Sequence, residues 1–131
     1  MIREHADALL ALARATLAVH DGSVPDGALP PYVLVYFADT DPDLAESRSL
    51  IGGSTRHVLR AYAHCVGGNA GAARAVADKL RTAWLDVRPT VAGRQCQPIR
   101  REDGQPAQRD ESTGSVVLDQ VEVYRLESEP A

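Results

Sequence analysis

Between Arg56 and Val66 the chain alternates two unlike sets of side chains, and no other stretch restricts the fold as much. Leu59, Ala61, Ala63 and Cys65 share one side of an extended strand, while Arg56, Val58, Arg60, Tyr62 and His64 share the other. Successive strand residues point to opposite faces, so the small apolar side invites a closely packed element and the arginine side asks for solvent or a partner. Gly67-Gly68-Asn69 follows, and then an alanine-rich segment in which Ala73, Val76, Ala77, Leu80, Ala83, Trp84 and Val87 form one apolar stripe. That spacing predicts a helix over 69–86, capped by Asn69 and stopped by Pro89, lying back over the small-residue face.

The remaining segments fit the same plan. Ile2, Ala6, Leu9, Leu10, Ala13 and Leu17 predict an amphipathic helix over 2–19. The turn-rich run SVPDGALPP leads into YVLVYFA, residues 32–38, whose nearly continuous apolar character predicts a central strand covered on both faces. Residues 39–54 read as a polar loop. RQCQPIRRE is a charged strand that Pro98 assigns to an edge, and DGQPAQRDESTGS is a polar excursion. VVLDQVEVYRLE, 116–127, is a strand in which a bulge would bring Val121 and Val123 onto the face of Tyr124 and Leu126. The expected fold is α+β in the order α-β-β-α-β-β. Two helices pack on one face of a mainly antiparallel sheet of about four strands, with a long charged C-terminal hairpin. The 131 residues fit one domain, 1–131, with 127–131 frayed at its end.

Searches for chemistry within this frame fail for physical reasons. A phosphate-binding loop needs a lysine and a hydroxyl after its last glycine, but the turn at Gly67, Gly68 and Gly71 has no lysine before Lys79. Asp39, Asp41 and Asp43 have the spacing of calcium ligands, yet Leu44 and Leu50 stand where glycine and glutamate are required. His57 and His64 share a strand but face opposite sides, and no zinc spacing occurs. Ser54, Ser112 and Ser115 lack a nucleophile's context, and Cys65 points away from its neighbour His64. Cys65 and Cys96 read as two buried small hydrophobes, since two cysteines make no disulfide framework. No cofactor, no metal and no catalytic residue is therefore expected.

The charge balance points the same way. A net charge of −4 without a basic stripe disfavours general binding to nucleic acid. No run approaches the roughly 20 apolar residues that cross a bilayer, so a soluble cytoplasmic product is expected. One feature stands out: Arg100, Arg101, Glu102, Asp103, Arg109, Asp110 and Glu111 crowd both signs of charge into one excursion. Mixed clusters of this kind suit a contact in which the basic pair of one subunit meets the acidic pair of the next.

Taken together, the N-terminal helix, VPDGALPPYVLVYF, the strand–glycine turn–helix run from Gly52 to Asp86, and the charged hairpin ending in VVLDQVEVYRL resemble the tail-terminator (tail-completion) proteins of long-tailed bacteriophages. The resemblance spans about Ile2 to Leu126 and rests on pattern and order, without a diagnostic motif. It implies a structural virion protein that forms a ring, typically hexameric, on the end of the tail tube. Such a ring stops tube polymerisation and presents a surface to the head-side connector, while DNA passes through its channel without specific binding. The implied location is the tail or neck of the virion, after assembly in the host cytoplasm. Charge alone nominates Arg56, Arg60, Arg100, Arg101, Arg109, Asp110 and Glu111 as the contact residues. The alternatives are another neck or head-completion connector, a small nucleotide-binding module or enzyme using residues 67–71, and a bacterial adaptor protein.

Overall fold

The computed structural model describes residues 2–40, 56–111 and 116–131. Helix α1 (Ile2–Arg14) precedes strands β1 (Val19–Asp21), β2 (Tyr32–Thr40) and β3 (His57–Gly67). Helix α2 (Ala70–Trp84) follows, and then β4 (Arg94–Cys96), β5 (Arg100–Gly104), β6 (Gln108–Asp110) and β7 (Val117–Pro130). The class is α+β, as expected, but the order α-β-β-α-β-β is corrected to α-β-β-β-α-β-β-β-β. The sheet has seven strands in place of about four. The additional strands are three to five residues long, too short to show a period of two in sequence.

Strand β1 occupies the end of the segment predicted as helix. The helix stops at Arg14, where Thr16 and Leu17 both donate to the Ala13 carbonyl. Val19–Asp21 then pairs parallel with Val33–Val35. Leu17 packs against the core from the turn, which prolongs the helical spacing of apolar residues beyond the helix itself.

The long strand β7 organises everything else. One edge pairs antiparallel with β3, from Leu118↔Gly67 to Ser128↔His57. The other edge receives β6 against Val117–Asp119, β5 against Glu122–Arg125 and β4 against Ser128–Pro130. Pro98 falls between β4 and β5, where no ladder N–H is required. The expected frayed terminus over 127–131 is accordingly a paired strand as far as Pro130, with Ser128 fully buried. The expected bulge lies in β5, between Arg101 and Asp103, and not in β7. Val121 and Val123 therefore stay on the face opposite Tyr124 and Leu126.

Both described helices cover one face of the sheet. Leu9, Leu10 and Ala13 of α1 and Ala73, Val76, Ala77, Leu80 and Trp84 of α2 bury against Val33, Val35, Leu59, Ala61, Ala63, Cys65, Tyr124 and Leu126. Trp84 ties the two helices together: its indole N–H donates to the Leu9 carbonyl at 2.9 Å, and its ring meets Tyr124 edge-on at 5.3 Å. Among the described residues no helix packs on the other face. Tyr36 of β2 is 44% exposed, which corrects the expectation that this strand is covered on both sides. The aromatic and β-branched run concealed this, because residues with high strand propensity occupy both faces. Among the described residues, one end of this face carries an apolar cluster, formed by Tyr32, Val66 and Val117 with Val24 and Leu34 packed on it.

The glycine turn before α2 is a packing device. Asn69 accepts from the Ala72 N–H at 2.8 Å and caps the helix, as expected. A Cβ on Gly67 would collide with the Ala73 nitrogen and come within 2.6 Å of the Ala72 carbonyl carbon, whereas one on Gly68 would meet nothing within 4 Å. Gly67→Ala is thus expected to lower stability by about 1–3 kcal/mol through overpacking against backbone. Gly68→Ala should stay within about 0.5 kcal/mol of the parent. Urea midpoints of the two variants measured side by side check this.

Candidate functional site

The open face is where polar side chains converge. Its rows are Leu34, Tyr36 and Ala38 on β2, Val58, Arg60, Tyr62, His64 and Val66 on β3, and Asp119, Val121, Val123, Arg125 and Glu127 on β7. Tyr36 stands opposite Tyr62, which in turn stands opposite Val123, giving a half-exposed aromatic and apolar centre. Arg60 stands opposite Arg125, a like-charge pairing that would destabilise two strands left to themselves. Glu102, at the β5 bulge, resolves the conflict by reaching both: 2.7 Å to Arg60 Nε and 3.2 Å to Arg125. Glu127 extends the ladder, 3.4 Å from Arg125 and 2.5 Å from Arg56. At the other end of the face His64 Nδ1 lies 2.7 Å from Asp119 Oδ2, and this hydrogen bond raises the His64 pKa against the opposing effect of burial. Tyr36 packs edge-on to the same imidazole at 5.7 Å.

The gap between β4 and β5 opens a cleft of about 380 Å³ onto this face. Three arginines (Arg56, Arg100 and Arg125), two glutamates (Glu127 and Glu129) and Pro98 line it. Of the residues nominated from charge, the structure gathers Arg56, Arg60 and Arg100 at this end. Arg100 also holds Asp86 at 2.9 Å in a pair that is largely exposed on both sides. Arg109, Asp110 and Glu111 sit on or beside β6 at the far end of β7, with Arg109 paired to Glu111 at 2.6 Å. Arg101 belongs to neither group. Its register opposite Tyr124 turns it to the helix-covered face, where it holds the buried Glu122 carboxylate at 2.7 Å, with Arg81 at 3.8 Å. A Cβ on Gly104 would meet the ends of the Arg101 and Glu122 side chains, so a larger residue there would displace this pair.

Sequence reasoning placed Glu102 in the charged excursion without nominating it, and missed Arg125, Glu127, the His64–Asp119 pair and the two tyrosines as one surface. A signal existed in the parity of β7, whose odd residues must match the even residues of β3 once the two strands pair. The bulge expected in β7 masks it.

Other polar clusters act as structure. His5 Nε2 lies 2.7 Å from Ser128 Oγ, Ser128 Oγ accepts from Arg94 Nε at 3.1 Å, and the His5 and His57 rings meet at a tilt with centroids 4.5 Å apart. His5 and Ser128 are completely buried, so this Ser–His pair ties α1 to β7 and offers no substrate a path. His57 is held below the ordinary histidine pKa by burial, with Asp39, 3.2 Å away, opposing. Both thiols are free and buried, and burial pushes Cys65 up to about 12, so it stays protonated. Among the described residues no group of three His, Cys, Asp or Glu side chains is placed to hold a metal ion. No helix among the described residues is long and apolar enough to cross a membrane. Asp41, Asp43, Ser54, Ser112 and Ser115 lie outside the described residues.

No family model and no curated protein matches the chain. Solved structures do. A chain from the virion of a native gene transfer agent particle superposes with a TM-score of 0.61 at 22% identity, covering 97% of this chain and 90% of that one. A second solved chain gives a TM-score of 0.58 at 17% identity, covering 98% of this chain and 93% of that one. At such identities the likeness is one of fold, and it runs nearly end to end.

Two measurements probe the site's electrostatics. His64 has its pKa raised by folding, so the His64–Asp119 pair contributes fully below about pH 6.5 and is lost as pH rises through the raised value. Asp119→Asn is expected to cost about 1 kcal/mol at pH 6 and much less at pH 9, read from urea midpoints. Arg101→Met leaves Glu122, 1% exposed, with the neutral Gln120 amide and the more distant Arg81. A loss of about 2–4 kcal/mol is expected, and Arg101→Met/Glu122→Gln should recover part of it.

Proposed function

We propose that this chain is a structural protein of a phage-type virion, and specifically a tail terminator. Copies of it assemble into a ring on the end of the tail tube, stop the tube's growth and offer a joining surface to the head-side connector. The observation that carries the proposal is the fold likeness to a chain of a gene transfer agent virion over 97% of this chain. The sequence pattern from about Ile2 to Leu126 that resembles the tail-terminator family also supports it. So does the sheet face that neither described helix covers, which presents Tyr36, Tyr62, Val121 and Val123 beside a ladder of ion pairs, the mixture expected of a surface that meets a protein partner.

The partners in this reading are other copies of the chain, the tail tube protein and the head-side connector, and the location is the virion after assembly in the host cytoplasm. DNA passes through the channel without specific binding. A net charge of −4, with the open-face arginines engaged by carboxylates, suits a lumen that does not retain phosphate. Arg56, Arg60, Arg100, Arg109, Asp110 and Glu111 are the candidate contact residues, while Arg101 serves through Glu122.

Electron microscopy of the purified protein, alone and with isolated tail tubes, tests the reading. Rings with a central hole that cap tube ends are expected. Protein that decorates DNA-filled heads and ignores tubes would move it to a head-completion role. A monomer that binds neither would remove it from the virion altogether.

A further inference from the structure

We propose that His57, in ring contact with His5, is a proton-operated latch: taking a proton at Nε2 loosens α1 from the sheet while the strand ladder stays closed. The latch works within one copy and does not depend on the ring reading. His57 opens β3 and is 9% exposed, and its ring meets that of His5 on α1 with centroids 4.5 Å apart. Its Nδ1 lies 3.2 Å from the Asp39 carboxylate of β2, which accepts the one ring proton that a neutral imidazole carries. Nε2 is buried and has no hydrogen-bond partner among the described residues. A proton placed there creates a buried N–H without an acceptor and a charge in a poorly solvated site, and both oppose docking of the helix.

The charges around His57 act in the same direction. Arg94 of β4 donates from Nε to Ser128 Oγ at 3.1 Å and from its terminal nitrogen to the Ser128 carbonyl at 2.9 Å, and His5 Nε2 lies 2.7 Å from the same hydroxyl. A protonated His57 therefore adds positive charge beside a guanidinium and a second imidazole. Burial is the largest effect holding its pKa down, with His5, Arg94 and the amino terminus adding to it. Asp39 opposes them, but its side chain is 51% exposed and solvent weakens the attraction. Arg3, Glu4 and Asp7 of α1 are exposed, and Glu127 and Glu129 of β7 turn to the open face. Helix α1 takes no part in the strand ladder, so it can lift without breaking a ladder hydrogen bond. Release lets His57 titrate near its ordinary value of about 6.5, whereas the docked state binds the proton more weakly. Docking thus has its full strength above about pH 6.5 and loses it as pH falls towards the lowered value, by at most about 30-fold at pH 5.

Hydrogen exchange of the full chain, with rates corrected for the intrinsic effect of pH, tests the latch. Between pH 7.5 and 5, protection of the Leu9, Leu10 and Ala13 amides should fall by about 10–30-fold. The Trp84 indole N–H, which donates to the Leu9 carbonyl, should follow them. Ladder amides of β3 and β7 should lose less, because global unfolding also breaks the His64–Asp119 pair, whose linkage has the opposite sign. His57→Phe keeps an aromatic ring against His5 and cannot take a proton, so it should abolish the loss in α1. Asp39→Asn removes the opposing charge and should move the loss to higher pH, and it decides the question by itself if His57→Phe does not fold. The latch is overturned by a parent that shows no loss in α1, or one that loses protection equally in α1 and the ladder. A loss that persists in His57→Phe, or that stays at the parent's pH in Asp39→Asn, overturns it as well.

Discussion

The backbone pairing of β7 is the constraint on which the rest of the molecule depends. Eleven of its residues pair with β3 on one edge, from Leu118 to Ser128, and three short strands share the other edge. None of those three could persist as an isolated ribbon, because a few residues of ladder do not offset the entropy of ordering them. Held against β7, they place the Arg101–Glu122 pair on the covered side and Glu102 on the open side, on either side of a one-residue bulge. A single strand thereby fixes the geometry of both faces and the separation of both charged ends.

The two faces solve different problems. On the covered side the helices approach closely because Ala61, Ala63, Gly67, Ala73 and Ala77 give them room, and Trp84 fills the centre with its indole N–H satisfied by Leu9. On the open side Arg60 and Arg125 oppose each other across the β3–β7 pair, and Glu102 and Glu127 neutralise them in a row. Half-buried ion pairs of this kind add little stability as such. Their value is positional: they hold long side chains in one arrangement beside two exposed tyrosines, as a recognition surface requires.

Much of this was legible in the sequence where periodicity is strong. The β3 alternation, the α2 stripe from Ala73 to Trp84 and the Asn69 cap follow from residues a few positions apart. The short strands were not legible, since Val19–Asp21 and Gln108–Asp110 become strands only through partners far along the chain. The candidate site was half legible. Charge picked out both ends of the surface, but Arg101 looks identical to Arg100 in sequence, and only the register on β7 sends it to the opposite face. Glu102 was not nominated, and Arg125 and Glu127 were missed, for the same reason: which face a residue occupies is set by pairing, and pairing is a long-range property.

The central claim is that the open sheet face is where copies of this chain meet. Hydroxyl-radical footprinting of Tyr36 and Tyr62, comparing assembled protein with protein held monomeric by dilution, tests it most directly. Both tyrosines should lose most of their labelling on assembly, while residues on the outer surface of α2 such as Arg74 keep theirs. Equal labelling of the two tyrosines in both states would contradict the claim.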